Sequence, residues 1–326
     1  MEMKFSAGLW IFGSSADRFV ASGYRKPTST DERIRLASKV KDLQGVDIHY
    51  PSDFKEKDVG RLKDLLKACK LRVGTVCVDL FSEARWMNGA LTSPDEAVRS
   101  EAVKIAKTSI KLAKDLGTDQ VAMWLGQDGY DYTFQVDYGV SWDRLVEAVK
   151  ECGRYDPSVK IGLEYKIKEP RTHIFISTVG KALLLVNEVG LKNVGVIIDV
   201  GHALMAFENP AESVVLLAKH NKLFHLHLND NYGDWDHDMI VGTVHLWELV
   251  EMLFWLQEVG YDGWYGLDIY PYREDPVQAC NQSIEQIKLA VKFIERVGVD
   301  KLRQLIRHGN IAETTATLRR ELSKNL

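Results

Sequence analysis

Residues 194–202, VGVIIDVGH, and 223–230, LFHLHLND, decide the fold. Each begins as a short β-branched or aromatic run and ends in side chains that a packed strand has no reason to carry. Asp199 and His202 close the first, and His225, His227 and Asp230 the second. A strand covered on both faces reads as a near-continuous apolar run, which marks a parallel sheet flanked by helices. Working outward, six further runs share this build: 4–10 (KFSAGLW), 45–50 (GVDIHY), 71–79 (LRVGTVCVD), 119–126 (DQVAMWLG), 160–166 (KIGLEYK) and 265–270 (YGLDIY). Helical periodicity fills the gaps. Ser93-Pro94 followed by acidic residues opens a long helix that stops near Gly117, and a second stretch covers 245–259, up to Gly260. Eight strands alternating with helices predict an α/β fold, a (β/α)8 TIM barrel. The polar segment after Val299 predicts a short C-terminal helical tail. With no Ser/Gly linker anywhere, the expected organisation is one barrel over residues 1–298 and a tail over 299–326.

Composition narrows the function. The 326 residues carry 42 Lys+Arg against 46 Asp+Glu, a net charge of −4, with 45% hydrophobic residues. A mildly acidic chain without a basic cluster gives no electrostatic footprint for nucleic acid. No apolar run approaches the ~20 residues of a membrane span, and MEMKFSAGLW lacks the basic-then-apolar layout of a signal peptide. A cytoplasmic protein without a membrane partner is expected. Cys69, Cys77, Cys152 and Cys280 show no CxxC pairing, so they read as reduced thiols.

In a parallel barrel the active site lies at the carboxyl ends of the strands. Here those ends are Trp10, His49, Trp124, Glu164 with Lys166, Asp199 with His202, His225 and His227, and Asp268. An unpaired buried charge costs several kcal/mol, so carboxylates and imidazoles at matched depth need compensation, which a metal supplies. Carboxylate with a few imidazoles suits a hard divalent cation. Glu164, Asp199, His227 and Asp268 can converge on one centre from four successive strands. The turn 233–239 adds Asp236 and Asp238, spaced to bind a second ion together with His202, although Asp234 and His237 of the same turn are also candidates.

These residues fall in an ordered series of motifs: Lys4–Trp10 with Phe19 following, Gly45–His49, Gly89–Asp95, Met123–Gly129, Glu164–Arg171 (EYKIKEPR), Asp199–His202 (DVGH), Phe224–Asn229 (FHLHLN), Asp236–Gly242 (DHDMIVG) and Asp268. The series is colinear from residue 4 to 268 and resembles the xylose isomerase superfamily. By that resemblance Glu164, Asp199, His227 and Asp268 would hold a structural ion that binds two substrate hydroxyls, and His202, Asp236 and Asp238 a second ion, sharing Asp199. The cofactors implied are two divalent metal ions per subunit, Mg²⁺, Mn²⁺ or Co²⁺, with no organic cofactor. Trp10 and Trp124 would wall the sugar, Lys166 would hydrogen-bond the oxygen at C1, and His49 would assist ring opening. Phe19 would reach a neighbouring subunit's site, making the protein a homo-oligomer, a dimer or tetramer.

The implied activity is aldose–ketose isomerisation of a pentose or hexose, of the D-xylose/D-xylulose type, by metal-assisted 1,2-hydride or proton transfer. In the catalytic set Glu164 and Asp268 join His49 and Lys166. Asp199 stands where xylose isomerase has Glu, and His227 where it has Asp, choices nearer to rhamnose isomerase and ketose 3-epimerases. Ser52 replaces an Asp that would orient His49, a task open to Asp53. A ketose 3-epimerase is therefore the alternative. An apurinic endonuclease, resembled at His227-Leu-Asn-Asp230, would need more histidines and a basic face. A non-catalytic sugar-binding barrel would have no use for Lys166.

Overall fold

The computed structural model describes residues 3–325. All eight expected strands form, and they close into one parallel barrel: β1 (Lys4–Gly8), β2 (Leu43–Tyr50), β3 (Arg72–Val78), β4 (Gln120–Trp124), β5 (Lys160–Glu164), β6 (Val194–Asp199), β7 (Leu223–Leu228) and β8 (Trp264–Leu267). Each strand pairs with its sequence neighbours, and β8 closes on β1. The chain is thus a (β/α)8 TIM barrel with a helical C-terminal tail.

The surrounding helices begin where short polar side chains can accept their first free N–H groups. Ser29 and Glu32 form a reciprocal cap on Thr30–Ala37, Asp137 caps Tyr138–Tyr155 through Val140, and Asp275 caps Pro276–Val297 through Gln278. The long helix expected after Ser93 begins two residues later, at Glu96, because Asp95 supplies the cap. It ends at Gly117, whose φ of +83° only glycine adopts freely. After Gly298, helices Val299–His308 and Ile311–Leu322 fold back on the barrel's outer layer. Arg303 fixes them there with a two-pronged contact to Glu258, both N–O distances being 2.7 Å. Among the described residues no helix is long and apolar enough to cross a membrane.

Two local features differ from the sequence expectation. Trp10 does not end β1 but sits in the helical turn Leu9–Phe12, which folds its indole back over Gly8. A Cβ at Gly8 would lie 2.2 Å from that ring, so only glycine fits. A small antiparallel sheet, Gly129–Tyr130, Thr172–Ile174 and Lys168–Glu169, also stands over the mouth. Strands of two or three residues are too short for alternation to reveal them.

Asp128 ties the mouth loops together. Its Oδ1 accepts from the N–H groups of Ala90 (3.0 Å) and Thr92 (2.7 Å) and from the Thr92 hydroxyl (2.7 Å). Burial pushes its carboxyl up to about 6, against those hydrogen bonds. The unfolded chain therefore loses this proton before the folded chain does, and the group's contribution to stability falls as pH rises from about 4 to about 6. Asp128→Asn keeps the Oδ1 acceptor and does not titrate. Chemical unfolding at pH 3.5 and pH 7 is expected to show the wild type losing roughly 3 kcal/mol relative to the variant across that interval. A constant difference refutes a buried, proton-retaining Asp128.

Candidate active site

The carboxyl ends of the strands open onto a cavity of about 400 Å³. One wall is an aromatic series, with Trp10 against His49 (ring centroids 4.6 Å apart), His49 against Phe81 (5.8 Å) and Phe81 against Trp124 (4.5 Å). Trp235, Tyr270 and Tyr272 line it as well. A larger hollow of about 890 Å³ lies outside the barrel between helices 96–116 and 138–155. Its walls mix exposed charged side chains, Lys107 pairing with Glu151 at 2.6 Å, with apolar ones such as Val103 and Leu112, and none of the clustered carboxylate and imidazole groups among the described residues lies in it.

Barrel register sets the charged part of the cavity. Glu164 aligns with Trp124, and His227 with both Asp199 and Gly266, so the strand ends arrive at one depth. One donor atom from each of Glu164, Asp199, His227 and Asp268 lies within 4.8 Å of all the others. His227 Nδ1 stands 3.1 Å from Glu164 Oε2 and 3.3 Å from Asp268 Oδ2. Asp199, His202 and Asp236 form a second such group. There His202 Nε2 is 3.1 Å from Asp236 Oδ2, and its Nδ1 is 3.3 Å from Glu164 Oε1. A third group, Asp47, His225 and His227, lies deeper, where Asp47 also accepts from the Ser6 hydroxyl at 2.9 Å.

So many buried carboxylates perturb one another. Burial, reinforced by Asp236, Glu164 and Asp268, pushes Asp199 up to about 7 in spite of His202. Asp268 rises for the same first reason, and Asp238 rises well above the carboxylate range. Burial works against a charged imidazole, but Glu164 and Asp268 outweigh it at His227, raising it to about 10. Asp199 and Asp236 raise His202 to about 9. The ring thus relieves its negative charge by holding protons. A divalent cation fits the same donors, since they are carboxylate oxygen and imidazole nitrogen, and Asp236 Oδ1 is buried without a hydrogen-bond partner.

Lys166 adds the one ammonium among the cavity's lining residues. Its Nζ donates to Asp236 Oδ2 at 2.7 Å and to Glu169, and it lies 5.2 Å from the centre of the Trp124 ring. Burial opposes the charge, yet Asp236 and Glu169 hold the amine above the ordinary lysine range. Trp10 is more than a wall: its indole N–H donates to Asp268 Oδ1 at 2.7 Å. Asp53 accepts from the backbone N–H of His49 at 2.8 Å and stands 3.9 Å from its Nδ1.

Of the residues singled out from the sequence, the structure gathers Trp10, His49, Trp124, Glu164, Lys166, His202, His227, Asp236, Asp238 and Asp268 around the cavity, with Asp199 beneath it. Asp238 belongs to none of these clusters, and its Oδ1 accepts from Asn229 at 3.1 Å. Phe19 is 83% exposed and does not line the cavity of its own chain. Sequence reasoning assigned no role to Asn229 or Glu169. The period-two spacing from His225 through His227 points to the first, and the acid three residues beyond Lys166 to the second. Phe81, Trp235 and Tyr272 lie on loops, which carry no such period, and Tyr270, read as the end of the 265–270 run, lies beyond β8, which stops at Leu267.

The profile of a family described as xylose isomerase-like TIM barrel matches residues 34–297. Xylose isomerase of Thermus thermophilus is 27% identical over 290 residues, covering 84% of this chain and 74% of that protein. Among solved structures, an L-ribulose 3-epimerase superposes with a TM-score of 0.71 at 16% identity, covering 94% of this chain and 98% of the other. A D-allulose 3-epimerase from Methylomonas sp. in complex with D-allulose gives 0.68 at 16% identity, covering 88% and 97%. A D-tagatose 3-epimerase-like protein gives 0.65 at 23% identity, covering 90% and 98%.

The carboxylate ring makes a direct prediction about its imidazoles. Because their pKa values lie near 9 and 10, His202 and His227 are expected to be cationic at pH 7 in metal-free protein. Nitrogen-15 NMR of the ring resonances checks this. Titration of both rings near 6.5 overturns the electrostatic account.

Proposed function

The chain belongs to the xylose isomerase-like TIM-barrel family, and we propose that within it the protein is a divalent-metal-dependent aldose–ketose isomerase. The substrate is a pentose or hexose, of the D-xylose/D-xylulose type. The observation that carries this reading is Lys166: a buried ammonium on the cavity wall, kept charged by Asp236 and Glu169 and joined through Asp236 to the second donor cluster. Isomerisation moves a hydrogen from C2 to C1 and a proton from O2 to O1, so negative charge builds on two neighbouring oxygens. A fixed ammonium beside one of them stabilises that charge without reorganisation.

Glu164, Asp199, His227 and Asp268 would hold one cation, and Asp199, His202 and Asp236 the other, with Asp238 adjoining. Bound there, divalent ions supply positive charge to adjacent sugar oxygens. The remaining roles belong to the chain itself. Lys166 Nζ donates to the C1 oxygen. Trp10, Phe81 and Trp124 present ring faces to the sugar's C–H groups and exclude water, which would exchange the migrating hydrogen. His49, held at its backbone by Asp53, faces a ring or chain oxygen and assists opening. Trp10 also fixes the Asp268 carboxylate.

A ketose 3-epimerase is the second reading. Glu164 and Asp268 both approach His227 Nδ1, at 3.1 and 3.3 Å, and two carboxylates so close together suit acid/base exchange at a single carbon. That chemistry works at C3 and leaves an ammonium at C1 without a task.

Three measurements test the proposal. Chelator-treated protein is expected to lose isomerisation and regain it with Mg²⁺, Mn²⁺ or Co²⁺, and full turnover in excess chelator refutes it. Lys166→Ala is expected to keep metal affinity while turnover falls about 100-fold or more, the scale of one lost oxyanion partner. A panel of aldoses and ketoses followed by NMR in deuterated water distinguishes the two readings: aldose–ketose interconversion supports the first, and a C3 epimer with solvent deuterium at C3 supports the second.

A further inference from the structure

Immediately beyond β7 the chain reads Asn229-Asp230-Asn231, and all three side chains are buried. Asn229 Nδ2 donates to Asp199 Oδ2 at 2.9 Å and to Asp238 Oδ1 at 3.1 Å. Its Oδ1 accepts from the N–H of Gly201 at 2.7 Å. Both amide hydrogens are therefore committed, each to a different carboxylate. Asp199 is the residue common to the two donor clusters, and Asp238 stands on the loop that supplies Asp236.

The surroundings leave this arrangement little freedom. Asp199 Oδ1 already accepts from the His202 N–H at 2.8 Å, so both of its oxygens are held. A Cβ at Gly201 would lie 2.8 Å from Asn229 Oδ1 and from Asn231 Nδ2, and 3.1 Å from Asp236 Oδ1, so the contact requires glycine. Asn231 Nδ2 returns to the Gly201 carbonyl at 2.9 Å. Asp230 closes the base of the loop, accepting from the N–H groups of Val244 (2.7 Å) and His245 (2.9 Å) at Oδ2 and from Met239 (2.9 Å) at its carbonyl. Asp238 itself is held with φ at +48°, its carbonyl accepting from the Tyr270 N–H at 2.7 Å.

We propose that Asn229 is a positioning residue that couples the two ion sites, its amide fixing Asp199 and Asp238 at one separation and so setting the affinity of the second cluster relative to the first. The inference rests on the metal reading above. Charge-assisted N–H bonds to two carboxylates hold together groups that otherwise repel. Without the amide, Asp238 and Asp199 lose the group that ties them, and the second cluster loses its geometry. The first cluster keeps Glu164 and His227 on their strands and Asp268 immediately beyond β8.

Mn²⁺ binding to the full chain, read by calorimetry and by electron paramagnetic resonance, tests this in wild type, Asn229→Asp and Asn229→Leu. Asn229→Asp keeps the acceptor for Gly201 and replaces the donor with a carboxylate oxygen facing Asp199 and Asp238. Asn229→Leu removes the donor without adding charge, and thermal unfolding of the metal-free proteins monitors both. Expected are two Mn²⁺ ions in the wild type, with the second ion weakened about 10- to 100-fold in both variants and the first nearly unchanged. Second-site affinity at the wild-type level in either variant overturns the proposal, as does equal loss at both sites. A wild type that takes up no Mn²⁺ instead refutes the metal reading from which the inference starts, which separates the two failures.

Discussion

Mutual repulsion among buried carboxylates at the barrel mouth is the constraint on which the rest depends. Glu164, Asp199, Asp236, Asp238 and Asp268 crowd one small volume, and the groups able to answer them with positive charge are His202, His227 and Lys166. The excess is negative, and burial removes the water that would screen it. The consequences are visible residue by residue: Asp199, Asp238 and Asp268 hold protons more tightly than ordinary carboxylic acids, and both imidazoles are raised. An arrangement that costs so much folding energy is not there for packing. It is sustained by a barrel whose core supplies the compensating burial elsewhere.

The barrel delivers these groups through register rather than through flexible loops. Parallel pairing aligns His227 with Asp199 and Glu164 with Trp124, so the ends of neighbouring strands reach the mouth together. Side chains on strands are held more rigidly than side chains on loops, and rigidity counts where a few tenths of an ångström change a charge interaction. Lys166, His202 and Asp268 lie just beyond the ends of their strands, and Asp236 and Asp238 lie on the 232–243 loop, which is stapled at its base by Asp230.

Much of this was legible in the sequence. Each of the eight apolar runs became a barrel strand, because a strand buried on both faces has a compositional signature that survives without tertiary information. Glu164, Asp199, His227 and Asp268 could be placed together because they terminate successive runs, and in a parallel barrel termination fixes depth. What escaped depends on turn geometry. Trp10 reads as the end of a strand, yet it lies in a helical turn, and from there its N–H reaches Asp268. Asp238 reads as one more carboxylate, yet its left-handed backbone turns it toward Asn229. The cavity's aromatic residues 81, 235 and 272 sit on loops whose paths no periodicity encodes.

The polar groups of the mouth form one connected path. Lys166 Nζ binds Asp236 Oδ2, and the same oxygen meets His202 Nε2. The backbone N–H of His202 binds Asp199, which binds Asn229, which binds Asp238. A carboxylate shared between an ammonium and an imidazole cannot move toward one without loosening the other. The position of the lysine is therefore set by Asp236, a member of the second donor cluster. Such coupling explains why the lysine can be buried at all: its charge is held in place by the same residue that organises the cluster, so the site gains an ammonium fixed in direction as well as in charge.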